Sequence, residues 1–169
     1  MADLVIKGGT VYDGTGAPGR AADVAISDGV IREIGANLRG DAVLDASGCA
    51  VTPGFIDIHT HYDAQVFWDP ALRPSSYHGV TTVVAGNCGF AIAPTRAEHH
   101  DTIVHTLENV EDMDPATLSA GVVWDFETFP EYLDAVRKRG TDINFTAYIG
   151  HSSLRLYVCL LYTSPSPRD

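Results

Sequence analysis

The chain has 169 residues, 45% of them hydrophobic and 20% charged, with 22 acidic against 11 basic side chains and a formal net charge of −11. The length suits a single domain. The acidic balance excludes the basic face that a nucleic-acid partner or an anionic membrane surface would require.

Residues 3–52 read as short strands joined by tight turns. Leu4-Val5-Ile6-Lys7 leads through Gly8-Gly9 to Thr10-Val11-Tyr12. Asp23-Val24-Ala25-Ile26 and Val30-Ile31-Arg32-Glu33-Ile34 flank Ser27-Asp28-Gly29, and Asp-Gly between alternating runs is a hairpin signal. Ala42-Val43-Leu44 and Cys49-Ala50-Val51 flank a further turn at Asp45-Ala46-Ser47-Gly48. The expected result is a small β module with little room for a core of its own.

The pattern changes at Pro53-Gly54. Phe55–His61 and Thr81–Ala85 read as short buried strands, and His99–Asn109 suits a helix. Over Asp125–Arg139 the apolar residues Phe126, Phe129, Tyr132, Leu133 and Val136 recur at spacings of three and four, and Gly140 follows; this predicts a helix that stops there. Asn144–Ile149 is a third strand, ending at Gly150-His151. Apolar strands alternating with helices predict parallel pairing through crossovers.

The tail Cys159–Asp169 reads differently. It resembles, over all eleven residues, the translation of a transposon-end sequencing adapter, and is expected to lie outside the fold. The expected division is thus 1–52, 53–158 and 159–169, with the natural reading frame continuing otherwise beyond Val158.

The residues that carry chemistry lie in Gly54-Phe55-Ile56-Asp57-Ile58-His59-Thr60-His61 and Gly86-Asn87-Cys88-Gly89. Two histidines two apart on a strand share a face. Such a pair is either structural or metal-binding, and a buried cysteine is either a small hydrophobe or a ligand. Together, at the ends of consecutive strands, they suit Zn²⁺. Strand ends are also where an α/β barrel keeps its active face. Asp57 either orients His59 or is a buried carboxylate satisfied by backbone N–H groups. Asp63 is expected to cap a loop, and Arg155 either meets a substrate carboxylate or holds a barrel loop. His99, His100 and His105 are expected to be solvated on a surface helix, and His78 to pack or cap before the second strand. The acidic stretch Glu108–Asp114 lacks the spacing of a calcium loop.

Only three cysteines occur, Cys49, Cys88 and Cys159, too scattered for a disulfide framework. A reducing, cytoplasmic setting is therefore expected. No apolar stretch is long enough to span a bilayer, and Met1-Ala2-Asp3-Leu4 begins no secretory signal.

Pro53–His61 resembles the first-strand signature of the amidohydrolase superfamily. Tyr62-Asp63-Ala64-Gln65, Trp68-Asp69-Pro70, His78–Val84, Gly86-Asn87-Cys88-Gly89, Ala93-Pro94, Gly150-His151 and Leu154-Arg155 narrow the resemblance to the D-aminoacylase (N-acyl-D-amino-acid deacylase) family, over about residues 3 to 158. Gly-Asn-Cys-Gly is the more specific part, because many relatives bridge two metals with a carboxylated Lys where this family uses a Cys. The resemblance implies an α/β fold: a small N-terminal β-sandwich module, then the first three strands of a truncated metal-dependent (β/α)8 TIM barrel. It implies that His59, His61 and Cys88 are metal ligands for one or two Zn²⁺ ions. The implied substrate is a small N-acyl-D-amino acid, cleaved at its linear amide bond, with no nucleic-acid or membrane partner. The family's later histidines and its general-base Asp have no counterpart in this stretch, so no catalytic residue is assigned. His151 matches no ligand of the family and is expected to be structural. A cyclic amidase of the hydantoinase or dihydroorotase type is the alternative activity. The further alternative is that the 169 residues alone form an incomplete domain, inactive and prone to aggregate.

Overall fold

The computed structural model describes residues 1–159; the tail read as adapter-like lies outside the described residues except for Cys159. The chain divides into two compact units, the first Met1–Pro53 and the second beginning at Gly54.

The first unit is a five-stranded mixed sheet. It contains β1 (Ala2–Val11), β2 (Arg20–Ser27), β3 (Val30–Gly35), β4 (Gly40–Asp45) and β5 (Ala50–Val51). The order is β3-β2-β1-β4, with β5 also on β1. The β2–β3 hairpin turns at Asp28 (φ 53°) and Gly29 (φ 71°), the two left-handed positions a tight hairpin of this kind needs. Gly8-Gly9 does not form the expected turn. β1 runs through it, and the register against β2 slips between Ile6 and Gly9, as at a β-bulge. The turn at residues 45–48 does not reverse the chain either, since β4 and β5 both run parallel to β1. The core here is small, as expected: Val5, Val11, Val24, Ala25 and Ala46 are its buried apolar residues.

The second unit is built on three parallel strands, β6 (Phe55–Thr60), β7 (Val80–Ala85) and β8 (Asn144–Ala147), in that order. The short α1 (Tyr62–Gln65) follows β6, and the β7–β8 crossover carries α2 (His100–Glu111), α3 (Pro115–Gly121) and α4 (Phe129–Arg139). α5 (His151–Cys159) follows β8, so His151 opens a helix where a strand end was expected. This is the parallel, crossover-linked pattern that apolar strands alternating with helices imply.

The helix expected from Asp125 begins four residues later. Thr128 is its N-cap: the Thr128 hydroxyl accepts from Glu131 N–H, while Glu131 Oε2 accepts from Thr128 N–H. This reciprocal box, with Pro130 in the first turn, fixes the start more firmly than apolar spacing does. Glu127, just outside, joins three segments. Its carbonyl accepts from Thr95 N–H, its own N–H donates to Glu131, and its carboxylate accepts from the Tyr157 hydroxyl.

The core of this unit joins helices to sheet through Phe67, Leu72, Val83, Ile92, Leu118 and Tyr132. Phe67 stacks on Phe126 at 5.7 Å between ring centres, and Phe126 meets Tyr132 edge-on at 5.2 Å, both favoured aromatic geometries. Tyr132 is 1% exposed, and its hydroxyl donates to Asp63 carbonyl at 3.1 Å. That single bond ties α4 to α1, directly beside the His61 end of β6.

Candidate metal centre

His59 lies in β6 and His61 one residue past its end. Their rings are 5.7 Å apart and tilted by 43°. Cys88 lies in the loop after β7. One ring nitrogen of each histidine and the Cys88 sulfur lie within 4.8 Å of one another, the one such cluster of three found among the described residues.

Several contacts set this convergence. Thr60 Oγ1 donates to Val84 carbonyl at 3.0 Å, holding the end of β6 against β7. Asn87 Nδ2 donates to Ile58 carbonyl at 2.8 Å, tying the Cys88 loop to the histidine strand. Gly86 has φ 76°, and a Cβ there would lie 2.5 Å from Tyr148 carbonyl oxygen. Only glycine lets the chain turn so sharply against β8. Cys88 Sγ accepts from Phe90 N–H at 3.3 Å, which holds the sulfur in place within its loop.

Asp57 is half-buried and accepts from His59 backbone N–H at 3.2 Å. It thus holds the main chain of His59, as a carboxylate satisfied by a backbone N–H, though it is not buried. Asp63 caps a loop as expected, the one that carries Ile92, but from a short helix. It sits in α1, 2% exposed, and accepts from Ile92 N–H at 3.0 Å. Burial pushes its carboxyl up to about 7. His78 Nδ1 donates to Pro74 carbonyl, 2.8 Å away, from the end of a short 3-10 turn. Arg155 and His151 lie on α5 outside the cluster.

His99 and His100 are not solvated as expected. His99 is 9% exposed, and His100 stacks on Trp124 at 4.1 Å. Burial lowers the basicity of His100, and His99 adds to the effect. Trp124, from the segment before α4, covers His100. His105 is exposed as expected and pairs with Glu108 at 2.9 Å.

Sequence reasoning missed Glu111. It ends α2, and its Oε1 lies 3.0 Å from His61 Nε2. His61 Nδ1 is buried with no hydrogen-bond partner among the described residues. A buried, unsatisfied polar atom costs about 1–3 kcal/mol. Two imidazoles and a thiol within 4.8 Å of one another form a donor set that suits Zn²⁺. The residues therefore fit a metal. Asp57, His59, His61, Glu111 and Met113 line an open cleft of about 280 Å³. A larger hollow of about 680 Å³ runs along β8 and the end of α4, but no histidine or cysteine lines it. Both histidines of the cluster therefore open onto the smaller cleft.

A family model described as the amidohydrolase family matches residues 42–167, reaching into the tail. A D-aminoacylase of Alcaligenes xylosoxydans xylosoxydans is 37% identical over 158 residues, covering 92% of this chain and 30% of the relative. A crystal structure of N-acyl-D-glutamate deacylase from Bordetella bronchiseptica, complexed with zinc and a phosphonate mimic of the tetrahedral intermediate, superposes with a TM-score of 0.75. It is 35% identical, covering 99% of this chain and 33% of that one. A D-aminoacylase structure describing the functional role of a binuclear metal centre gives a TM-score of 0.76 at 35% identity, covering 100% of this chain and 33% of that one. The chain spans 26–30% of the length of the curated relatives that it matches over most of its own length.

Proposed function

The chain belongs to the amidohydrolase family, and from that premise we propose that its parent protein is a zinc-dependent hydrolase of N-acyl-D-amino acids. His59, His61 and Cys88 hold one or two Zn²⁺ ions in this reading. The observation that carries it is the approach of two ring nitrogens and one sulfur to within 4.8 Å. The similarity to deacylases over nearly the whole chain supports the substrate class.

Zinc held by His59, His61 and Cys88 would supply Lewis acidity for amide hydrolysis. The chain's own residues supply the rest of what this half of the centre needs. Asp57 holds the His59 backbone, Asn87 holds the Cys88 loop to β6, and Phe90 N–H supports the sulfur. The proton-transfer group toward the leaving amine is not assigned to any of these residues, so the 169 residues alone are inactive in this reading. Cys49 and Cys88 are in no disulfide among the described residues, which supports a reducing, cytoplasmic setting in this reading.

The test is hydrolysis of N-acetyl-D-methionine, its L-enantiomer and hydantoin by the protein with its full reading frame. Turnover of the D-substrate, lost on Cys88→Ala together with bound zinc, is the expected result. Turnover of hydantoin alone would assign the cyclic-amidase activity instead.

A further inference from the structure

Resting on that metal reading, we propose that Asp63 is a positioning residue of the centre. Its carboxylate, bonded to Ile92 N–H, fastens the chain beyond Cys88 to the segment that carries His59 and His61.

Asp63 lies two residues after His61, and Ile92 four residues after Cys88. The bond between them, from Ile92 N–H to Asp63 Oδ2 at 3.0 Å, spans 29 positions and is buried. Asn87 makes the counterpart on the near side, where its amide reaches the Ile58 carbonyl, one residue before His59. The two bonds link the same two segments, one ahead of the ligands and one behind them. Along the chain, His59, His61 and Cys88 all fall between these ties. Such a bracket fixes the alignment of the two segments as well as their distance, which a single bond cannot do.

A carboxyl group is an unfavourable choice for filling a core. Asp63 is 2% exposed and Ile92 is fully buried, and Asp63 Oδ1 has no hydrogen-bond partner among the described residues. Burying a polar group with an acceptor left unmet costs stability. An apolar side chain would pack the same space without that cost, but only an acceptor can hold Ile92 N–H. The position therefore serves alignment before packing.

Both ends of the tie are anchored from behind. The Tyr132 hydroxyl donates to the Asp63 carbonyl at 3.1 Å, which fixes α1 from α4. Ser153 Oγ, buried on α5, donates to the Ala93 carbonyl at 2.9 Å, which fixes the residue next to Ile92. Asp63 thus joins two points that helices already hold, and its side chain sets the separation between them.

The experiment is a Co²⁺ titration of the protein with its full reading frame, followed by Zn²⁺ competition. Wild type is expected to show a sulfur-to-cobalt charge-transfer band that Cys88→Ala removes. Asp63→Ala, which leaves Ile92 N–H unpaired, is expected to bind Co²⁺ roughly 5- to 100-fold more weakly. Asp63→Asn, whose side-chain oxygen still accepts from Ile92 N–H, is expected to recover most of that affinity. Hydrogen exchange of the apo protein, read by mass spectrometry, separates alignment from general loosening. In Asp63→Ala the peptide over residues 86–95 exchanges faster than in wild type, and the peptide over residues 129–139 does not. Wild-type Co²⁺ affinity in Asp63→Ala overturns the role of Asp63 alone. So does an equal loss in Asp63→Ala and Asp63→Asn, which would assign the effect to charge and not to the bond. Faster exchange over 129–139 as well, or failure of Asp63→Ala to fold, reduces Asp63 to a structural residue and overturns the proposal too. A wild-type protein with no thiolate band overturns the metal reading, and the role of Asp63 with it.

Discussion

The Asn87 side-chain amide donates to the Ile58 carbonyl at 2.8 Å, so the residue before Cys88 is fastened to the residue before His59. Each partner adjoins a proposed ligand, and the bond sets the distance between the two strand ends. One hydrogen bond of this kind contributes about 0.5–1.5 kcal/mol. Asn87→Ala is therefore expected to weaken Co²⁺ binding by roughly 2- to 10-fold while the thiolate band survives. Unchanged affinity in a cobalt titration would show that the Cys88 loop holds its position without this bond.

Gly86 imposes a stricter condition. Any side chain at its φ of 76° is strained, by about 1–2 kcal/mol, and a Cβ would also press on Tyr148 backbone at 2.5 Å. Gly86→Ala is expected to displace the loop and abolish thiolate coordination, read as loss of the charge-transfer band. Gly29→Ala, in the hairpin of the first unit, serves as a control of similar backbone conformation and leaves the band in place.

The start of α4 carries a pH dependence of definite sign. The N–H groups of Thr128 and Glu127 hold the Glu131 carboxyl below its ordinary value of 4.5. A carboxyl lowered in the folded state stabilises fully above that ordinary value, and the stabilisation is lost as pH falls through the folded value. Amide hydrogen exchange in the first turn of α4 is expected to accelerate relative to the α4 centre on acidification below about 4.5. Glu131→Gln removes that dependence. Thr128→Ala, which deletes the other half of the box, costs about 0.5–2 kcal/mol at any pH.

His100 gives the matching prediction for an imidazole. Burial against Trp124 holds it below its ordinary 6.5. The neutral, stacked form is therefore fully stable above that value, and the stack weakens as pH falls through the folded value. The indole resonance of Trp124 is expected to shift in this acidic range in wild type and to stay constant in His100→Phe. A constant Trp124 signal in both would remove the coupling.

The convergence of His59, His61 and Cys88 was legible in the sequence because its geometry follows from local rules. Alternation on a strand puts His59 and His61 on one face, and glycines around Cys88 announce a tight loop. The parallel β6-β7-β8 order was legible for a similar reason, as apolar strands separated by helices have few other ways to pair. Gly8-Gly9 misled because two glycines suit a turn and a bulge equally well, and only the pairing of β1 with β2 and β4 decides between them. Asp125 misled because apolar spacing continues past the true start of α4, whereas Thr128-Phe129-Pro130-Glu131 marks it. Glu111 was not legible at all. Its partner His61 lies 50 positions earlier in the chain, and no local pattern encodes a contact between a helix end and a strand end.

Glu127 has a mechanical consequence. Because its main chain and carboxylate bind the loop at Thr95, the cap of α4 and Tyr157 of α5, none of these three segments can peel away without releasing a bond to the same residue. The loop at Thr95, the start of α4 and α5 thus share residue 127 as a common point of attachment.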